Sequence, residues 1–148
     1  MTWPHGEFII GDGGYKVSNQ FTIFGMQSVL RSAFQGNKLP WYIGLCAHSP
    51  ADTLALSSLG EPSIANGYDR QLLPLTIAHW PTLGNVNGES YIESRQFTFP
   101  ITAPLDVQVN RLFITDNTQV IAISSPIMDG GLQLLTAAFT TRYRLYFR

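Results

Sequence analysis

The sequence predicts a mainly β protein, an antiparallel jelly-roll-like sandwich that carries one short α-helix at about residues 22–35. The runs with strand-like alternation are short, polar turn sequences separate them, and no strand–helix–strand rhythm recurs. Only one segment has the three-four spacing of a helix. A chain of 148 residues can bury one core, so we expect a single sandwich domain over 19–148, preceded by residues 1–18.

Residues 1–18 mix glycines with the apolar residues Trp3, Phe8, Ile9 and Ile10. Glycine interrupts regular structure, whereas the apolar side chains require a surface that buries them. Two interpretations stay open, because the segment suits either the first strand of its own domain or an arm that lies on a neighbouring subunit. The second interpretation makes these four apolar residues candidates for a subunit interface.

One apolar stripe has helical spacing, and its members are Met26, Val29, Leu30, Ala33 and Phe34. Asn19 or Thr22 can cap the start of this helix, because short polar side chains accept hydrogen bonds from the first free backbone amides. Gly36 and Asn37 suit its end. The stripe is interpreted as a surface that packs against the sheet rather than as a binding helix.

The remaining strand-like runs alternate apolar and other residues, and they cover residues 41–47, 68–75, 91–99, 108–115, 119–124 and 140–148. Residues 41–47 are largely apolar on both faces, which predicts a central strand. Turn sequences separate the runs, and they lie at 66–67, 85–88, 116–117 and 129–131. Residues 48–63 are interpreted as a long connection.

Catalytic and metal-binding chemistry finds little support in the sequence. Cys46 and His48 lie two residues apart, where parallel strand side chains meet poorly, so Cys46 is expected to be a buried structural cysteine. His5, His48 and His79 are scattered without the spacing of metal ligands. We therefore expect no catalytic residue, no metal site and no cofactor.

The last predicted strand places Arg142, Arg144 and Arg148 on one face together with Tyr146. A basic stripe beside an aromatic ring can follow a nucleic-acid backbone. The net charge of −1 argues against that partner, and carboxylates of a neighbouring subunit can pair with the same arginines. We therefore expect these three arginines at a subunit interface, and no binding of nucleic acid.

Composition also favours a subunit whose surface is partly covered. The charged share is 13%, about half of the roughly 25% found in an average soluble domain. Interfaces lose charged residues where they are most buried, although a surface rich in Ser, Thr, Asn and Gln is the alternative explanation. No apolar run reaches the length of a membrane span, and the N-terminal stretch lacks the features of a secretory signal. We expect synthesis in the cytoplasm and no membrane partner.

The stretch EPSIANGYDRQ places Glu61 and Arg70 on either side of the turn at Asn66-Gly67. In the strand that follows, Arg70 shares a face with Tyr68 and is expected to point inward, whereas Asp69 points the other way and stays solvated. A half-buried guanidinium requires a carboxylate, and Glu61 is the nearest candidate. Glu61 and Arg70 are therefore predicted to form a structural clamp across the turn.

Over about residues 19–100 the chain carries an ordered set of short motifs: Asn19-x-Phe21, Gly25, Leu30, Phe34, residues 41–45, Pro50, Glu61, residues 67–71, Trp80 and residues 97–99. In this order the motifs resemble those of a broad group of small virion structural proteins encoded by tailed bacteriophages. The resemblance implies a β-rich assembly component without enzymatic activity, built into the particle in many copies.

Within that class the resemblance favours a capsid decoration or cement protein, which binds the major capsid protein or other virion proteins and braces the shell. The expected location is the virion, assembled in the host cytoplasm. Subunits of this kind sit over capsomer junctions, so we expect a homo-oligomer, with a trimer favoured and a dimer as the alternative.

Two other functions stay open. A tail, baseplate or head-fibre component is the alternative within the virion. From another class, a carbohydrate-binding β-sandwich would use Trp3, Trp80 or Tyr91 as a platform on which a sugar ring stacks, although Trp80 suits the core better.

Overall fold

The computed structural model describes residues 5–11, 14–48, 55–127 and 139–147. Within these ranges the chain forms ten strands and one helix, in the order β1 (His5–Ile10), β2 (Tyr15–Phe21), α1 (Ile23–Phe34), β3 (Trp41–Cys46), β4 (Gln71–Leu73), β5 (Thr82–Val86), β6 (Glu89–Glu93), β7 (Phe97–Phe99), β8 (Arg111–Thr115), β9 (Val120–Ser124) and β10 (Phe139–Phe147). All strand pairs in these ranges are antiparallel. The predicted mainly β, sandwich-like fold with one short helix is confirmed.

The strands form one hydrogen-bonded sheet in the order β4-β3-β8-β9-β2-β1-β10-β6-β5, and β7 also pairs with β10. Because β1 lies between β2 and β10, residues 5–10 are a strand of their own domain and not an arm. The predicted boundary between residues 18 and 19 falls inside β2, so it does not separate two parts of the fold.

The sheet curls, and its concave face encloses most of the core. Trp80 lies in the loop between β4 and β5, is 7% exposed, and packs edge-on against both Trp41 and Tyr143, with ring centroids 6.0 and 6.2 Å apart. Trp41 belongs to β3 and Tyr143 to β10, which are distant in the strand order. Trp80 therefore joins the two ends of the sheet, and the expectation that it is a core residue is confirmed.

The predicted helix is confirmed in position and in its ends. It begins at Ile23 after Thr22, whose hydroxyl accepts a hydrogen bond from the Gly25 amide at 3.0 Å. It ends at Phe34, and Gly36 follows with a φ of +69°, a conformation that glycine adopts without steric cost. Thr22, rather than Asn19, is therefore the cap.

The predicted buried face of the helix is only partly right, because Val29 packs against the main core but Leu30 and Phe34 are exposed. The described helix buries Gly25 and Ser28, whereas Leu30 is 56% exposed and Phe34 is 82% exposed. The reason is a close approach: an added Cβ on Gly25 would overlap the Ile121 carbonyl oxygen of β9, so only a small residue fits there. The indole nitrogen of Trp41 also donates to the Ser28 hydroxyl at 2.9 Å, and this bond orients the small-residue face toward the sheet.

The predicted runs 41–47, 108–115, 119–124 and 140–148 overlap β3, β8, β9 and β10. β2 is not predicted as a separate strand, and only residues 71–73 of the predicted strand 68–75 form one, β4. Residues 91–99 contain the end of β6 and all of β7 instead of one continuous strand. β5 was not predicted, because Gly84 and Asn85 favour turns and residues 85–88 were assigned to one. The turn itself consists of Asn87 and Gly88, with φ values of +50° and +78°, and closes a two-residue hairpin between β5 and β6.

We predict that Gly25→Ala lowers the free energy of unfolding by roughly 1–3 kcal/mol, because the new methyl group would force α1 away from the Ile121 carbonyl. Alanine normally stabilises a helix relative to glycine by about 1 kcal/mol, so the expected sign is opposite to that of intrinsic propensity. Urea denaturation would measure the change. Gln27→Ala on the exposed face is the control and should not destabilise; a stabilised Gly25→Ala variant would contradict the close packing of α1 on β9.

Candidate functional site

The predicted contact between Glu61 and Arg70 is present. Arg70 donates from Nη2 to Glu61 Oε1 at 2.7 Å and from Nε to Glu61 Oε2 at 2.9 Å, so the guanidinium and the carboxylate meet through two parallel bonds. The Tyr68 hydroxyl donates a third hydrogen bond to Glu61 Oε2 at 2.5 Å. Asp69 is exposed, as the strand alternation predicts. We call Glu61, Tyr68 and Arg70 the clamp.

Tyr68 anchors the clamp in the core. Its ring is 2% exposed and its hydroxyl accepts a hydrogen bond from the Leu45 amide of β3 at 3.1 Å. Burial raises the pKa of Tyr68 far above its usual range, and the hydrogen bond to the Glu61 carboxylate raises it further. The hydroxyl therefore stays protonated and keeps donating to Glu61. Sequence reasoning missed this role of Tyr68, although the alternation already placed it on the face of Arg70.

Arg70 connects the clamp to β8 and to the loop that follows β8. Its Nη1 donates to Asn117 Oδ1 at 2.7 Å, and its guanidinium lies 5.6 Å from the ring centroid of Phe113. The hydrogen bond to Glu61 raises the pKa of Arg70, against the opposing effect of burial. Asn117 lies in the loop between β8 and β9, so no spacing in the sequence pointed to it. The clamp thereby connects the loop before β4 to β3, to β8 and to the loop between β8 and β9.

An open cleft of about 480 Å³ borders the clamp, and Tyr42, Ile64 and Asn117 line the rest of it. Both oxygens of Glu61 accept hydrogen bonds from Tyr68 and Arg70, and Arg70 donates from all three of its nitrogen atoms. A carboxylate and a guanidinium held in this way are already engaged. The arrangement therefore suits a structural role better than proton transfer, and the stabilising role of the clamp stays a prediction.

A second group of charges lies around β10. Glu93 of β6 is 6% exposed and accepts from Arg144 Nε at 2.8 Å and from Arg142 Nη1 at 3.2 Å. Glu7 of β1 accepts from the Tyr146 hydroxyl at 2.6 Å. Burial disfavours the charge of Arg144, but hydrogen bonds to Tyr146 and Glu93 raise its pKa overall. We call these five residues the β10 charge layer.

The β10 charge layer corrects part of the predicted subunit interface. Arg142 and Arg144 pair with carboxylates of their own chain instead of those of a neighbour, because β6 and β1 flank β10 and present Glu93 and Glu7 beside it. Arg148 lies outside the described residues. The two described arginines are therefore already paired within the subunit.

The apolar part of the predicted interface is corrected in the same way. Phe8 and Ile9 are 0% and 2% exposed within their own chain, and Ile10 is half-buried against the main core. Phe8 and Ile9 therefore offer almost no free surface to a neighbour, whereas Ile10 stays partly exposed. Trp3 lies outside the described residues.

Of the three aromatic residues proposed as sugar platforms, the two that the structure describes are not freely exposed. Trp80 is buried in the core, and the Arg144 guanidinium lies 4.1 Å from the ring centroid of Tyr91. Trp3 is not among the described residues. Because the core encloses Trp80 and the Arg144 guanidinium lies over the Tyr91 ring, the geometry of these two rings does not favour carbohydrate binding.

Cys46 has the environment of a structural cysteine. Its side chain is fully buried beside Leu59, Phe113, Val120 and Ile123. Burial raises the pKa of the thiol to about 12, and its Sγ donates to the His48 carbonyl oxygen at 3.6 Å instead of to the imidazole. The thiol is therefore protonated and shielded, which is the opposite of an activated nucleophile.

The described ranges hold no group of three or more His, Cys, Asp or Glu side chains arranged to bind a metal ion. Within the same ranges, no helix has the length and apolar character needed to cross a membrane. Comparison with protein-family models, with curated proteins and with solved structures found no match to this chain.

We predict that Glu61→Ala and Arg70→Ala each lower the free energy of unfolding by roughly 2 kcal/mol, because each leaves a half-buried charged partner without its counter-ion. The double variant should be little worse than either single variant, since both remove the same interaction. A double-mutant cycle by urea denaturation measures the coupling. Asp69→Ala is the matched control and should change stability by less than about 0.5 kcal/mol. Fully additive losses would show that the pair is not coupled.

We also predict that Cys46 is unreactive in the native protein. Because its pKa is raised to about 12, the thiol carries its proton through the mildly alkaline range in which an exposed cysteine forms thiolate. Labelling with a chromogenic disulfide reagent should be slow under native conditions and should become complete in denaturant. Rapid stoichiometric labelling of the folded protein would contradict the buried position.

Proposed function

We propose that this chain is a non-enzymatic structural protein of a tailed-bacteriophage virion, and that it decorates and stabilises the capsid through contacts between proteins. The resemblance of its ordered motifs supports the virion role. A surface on α1 supports attachment to another protein, and the internal pairing of many of its charges is compatible with a scaffold rather than a reaction centre.

The exposed surface of α1 is the observation that carries the proposal. Ile23, Leu30 and Phe34 are 64%, 56% and 82% exposed, and their spacing of seven and four residues puts them on one side of the helix. We call these three residues the outer face of α1. A contiguous exposed apolar surface on a folded domain commonly marks a site of protein contact.

The charges beside this face favour an acidic partner. Arg31 lies in the last turn of α1 and Lys38 follows the helix, and no described carboxylate lies within ion-pair distance of either. The helix itself carries no Asp or Glu. A complementary surface would therefore offer an apolar groove for the outer face, with carboxylates along its rim. On a capsid, such a groove would belong to the shell protein.

We predict that the purified protein binds undecorated capsids of its phage and raises the temperature at which they release DNA. The double variant Leu30→Ser/Phe34→Ser should weaken capsid binding by at least roughly tenfold, because it removes the apolar contacts at the centre of the outer face. Co-sedimentation measures binding, and fluorescence of a DNA dye measures release.

Ile77→Ser is the matched control, since Ile77 is 88% exposed but lies outside α1, and it should bind capsids like the unaltered protein. Failure of the unaltered protein to bind capsids would contradict the decoration role. Binding to isolated tails instead would favour the tail, baseplate or fibre assignment, and a specific signal on a glycan array would favour the carbohydrate-binding alternative.

A further inference from the structure

The two ends of the sheet differ in how well they are protected from other strands. β4 is three residues long and is followed at once by Pro74, which has no amide hydrogen, so this edge offers few groups for pairing. β5 is five residues long, contains neither charge nor proline, and pairs with β6 in an unbroken register. Short length, proline, charge and bulges are the usual devices that prevent edge pairing, and none of them lies within Thr82–Val86, although Pro81 comes immediately before this strand.

The hairpin geometry shows which backbone groups of β5 are free. Val86 and Glu89 flank the two-residue turn, and such a closing pair exchanges both of its backbone hydrogen bonds. Bonded pairs alternate along an antiparallel ladder, so Gly84 also bonds to β6, whereas Leu83 and Asn85 direct their amides and carbonyls away from it. No backbone bond from either residue to a group outside this hairpin occurs in the part of the chain that the structure describes.

The side chains of β5 make this edge apolar as well as unpaired. Leu83 lies opposite Ile92 of β6, which lies opposite Leu145 of β10, so the three form one row across the sheet. Leu145 is 4% exposed and Ile92 is half-buried, but Leu83 is 80% exposed. The row therefore runs from the core to the edge of the sheet, where the described residues leave most of the Leu83 side chain exposed.

We propose that β5 pairs with β5 of a second copy of this chain, in antiparallel orientation about a twofold axis at Gly84. In this register Leu83 of one copy lies opposite Asn85 of the other, and their free amides and carbonyls form four new hydrogen bonds. The two Leu83 side chains lie diagonally across the axis on the same side of the joined sheet, within reach of each other.

Charge argues for a second copy as the occupant. Twofold pairing brings the residues next to the axis close to their own copies, so a charge at these positions would repel itself. Thr82–Val86 contains no Asp, Glu, Lys or Arg, and the only residue on the axis is glycine. The outer face of α1 lacks this property, since Arg31 and Lys38 accompany it and would be doubled by self-pairing. The β5 edge can therefore pair with β5 of a second copy without repulsion between charged side chains.

The proposed contact closes at two copies, so it favours a dimer over the trimer that the sequence analysis favoured. It does not depend on the capsid-decoration role. Four backbone hydrogen bonds and two leucines make a small interface, below the roughly 1,200 Å² of a standard stable one, so the dimer should be weak and reversible. The new hydrogen bonds would come from the backbone groups of Leu83 and Asn85, which do not bond to β6.

Sedimentation equilibrium of the full chain over a wide concentration range tests the proposal. The unaltered protein should pass from monomer to dimer, and Leu83→Lys should raise the dissociation constant by at least roughly tenfold, because it puts like charges across the axis. Ile77→Lys is the control, since Ile77 is equally exposed outside any strand and should dimerise like the unaltered protein.

Amide hydrogen exchange provides a second measurement that identifies the contact. Protection of the Leu83 and Asn85 amides should rise with protein concentration, whereas the Gly84 amide, already bonded to β6, should change little. Asn85→Pro removes one outward amide without touching the β6 ladder, so it should weaken the dimer while far-UV circular dichroism stays unchanged.

Each contrary result has a defined meaning. A protein that stays monomeric at all concentrations overturns the edge pairing, as does a dimer that Leu83→Lys leaves unaffected. Concentration-dependent protection on α1 instead of β5 also overturns it. A monomer that binds capsids would contradict only the edge pairing. An edge-paired dimer that does not bind capsids would contradict only the decoration role.

Discussion

The packing of Trp80 between Trp41 and Tyr143 is the interaction on which the architecture depends. A twisted sheet of this many strands leaves a wide apolar face, and no second sheet exists among the described residues to cover it. The three rings contact one another edge-on, which is a favoured geometry for aromatic pairs, and they hold the β3 end of the sheet near β10. Curling makes one part of this sheet cover another, so the single sheet buries its apolar face in a sandwich-like arrangement.

Closing the sheet also determines where the charges lie. The core is built from large apolar side chains, so the half-buried Glu61 and the buried Glu93 lie at its margins, each against arginine. Such pairs are retained where both partners are hydrogen-bonded, since an unpaired half-buried charge costs several kcal/mol, roughly 3–5. Part of the chain's small number of charged side chains is therefore paired within the fold.

The sequence was sufficient to predict elements that depend on local pattern. Alternation predicts β3, β8, β9 and β10 close to their observed positions, and the turn at Asn66-Gly67 with the alternation of Tyr68 and Arg70 predicts the contact of Arg70 with Glu61. The buried side of α1 could not be predicted, because the apolar stripe containing Leu30 and Phe34 is a property of the helix, whereas the approach of Gly25 to Ile121 is a property of two distant segments. The bond between Arg70 and Asn117 could not be predicted either, because it also joins two segments that are distant in the sequence.

The two exposed surfaces are compatible because they lie on different parts of the sheet. α1 packs on β9 and β2, whereas β5 is the last strand beyond β1, β10 and β6, so pairing through β5 leaves the outer face of α1 uncovered. A twofold dimer would then display two outer faces on one rigid sheet. When one copy binds a repetitive surface, the second contact becomes intramolecular, and avidity can exceed the single affinity by roughly 10²–10⁴. A weak edge contact and a weak helix contact would together give firm attachment to a lattice and little attachment to a single subunit.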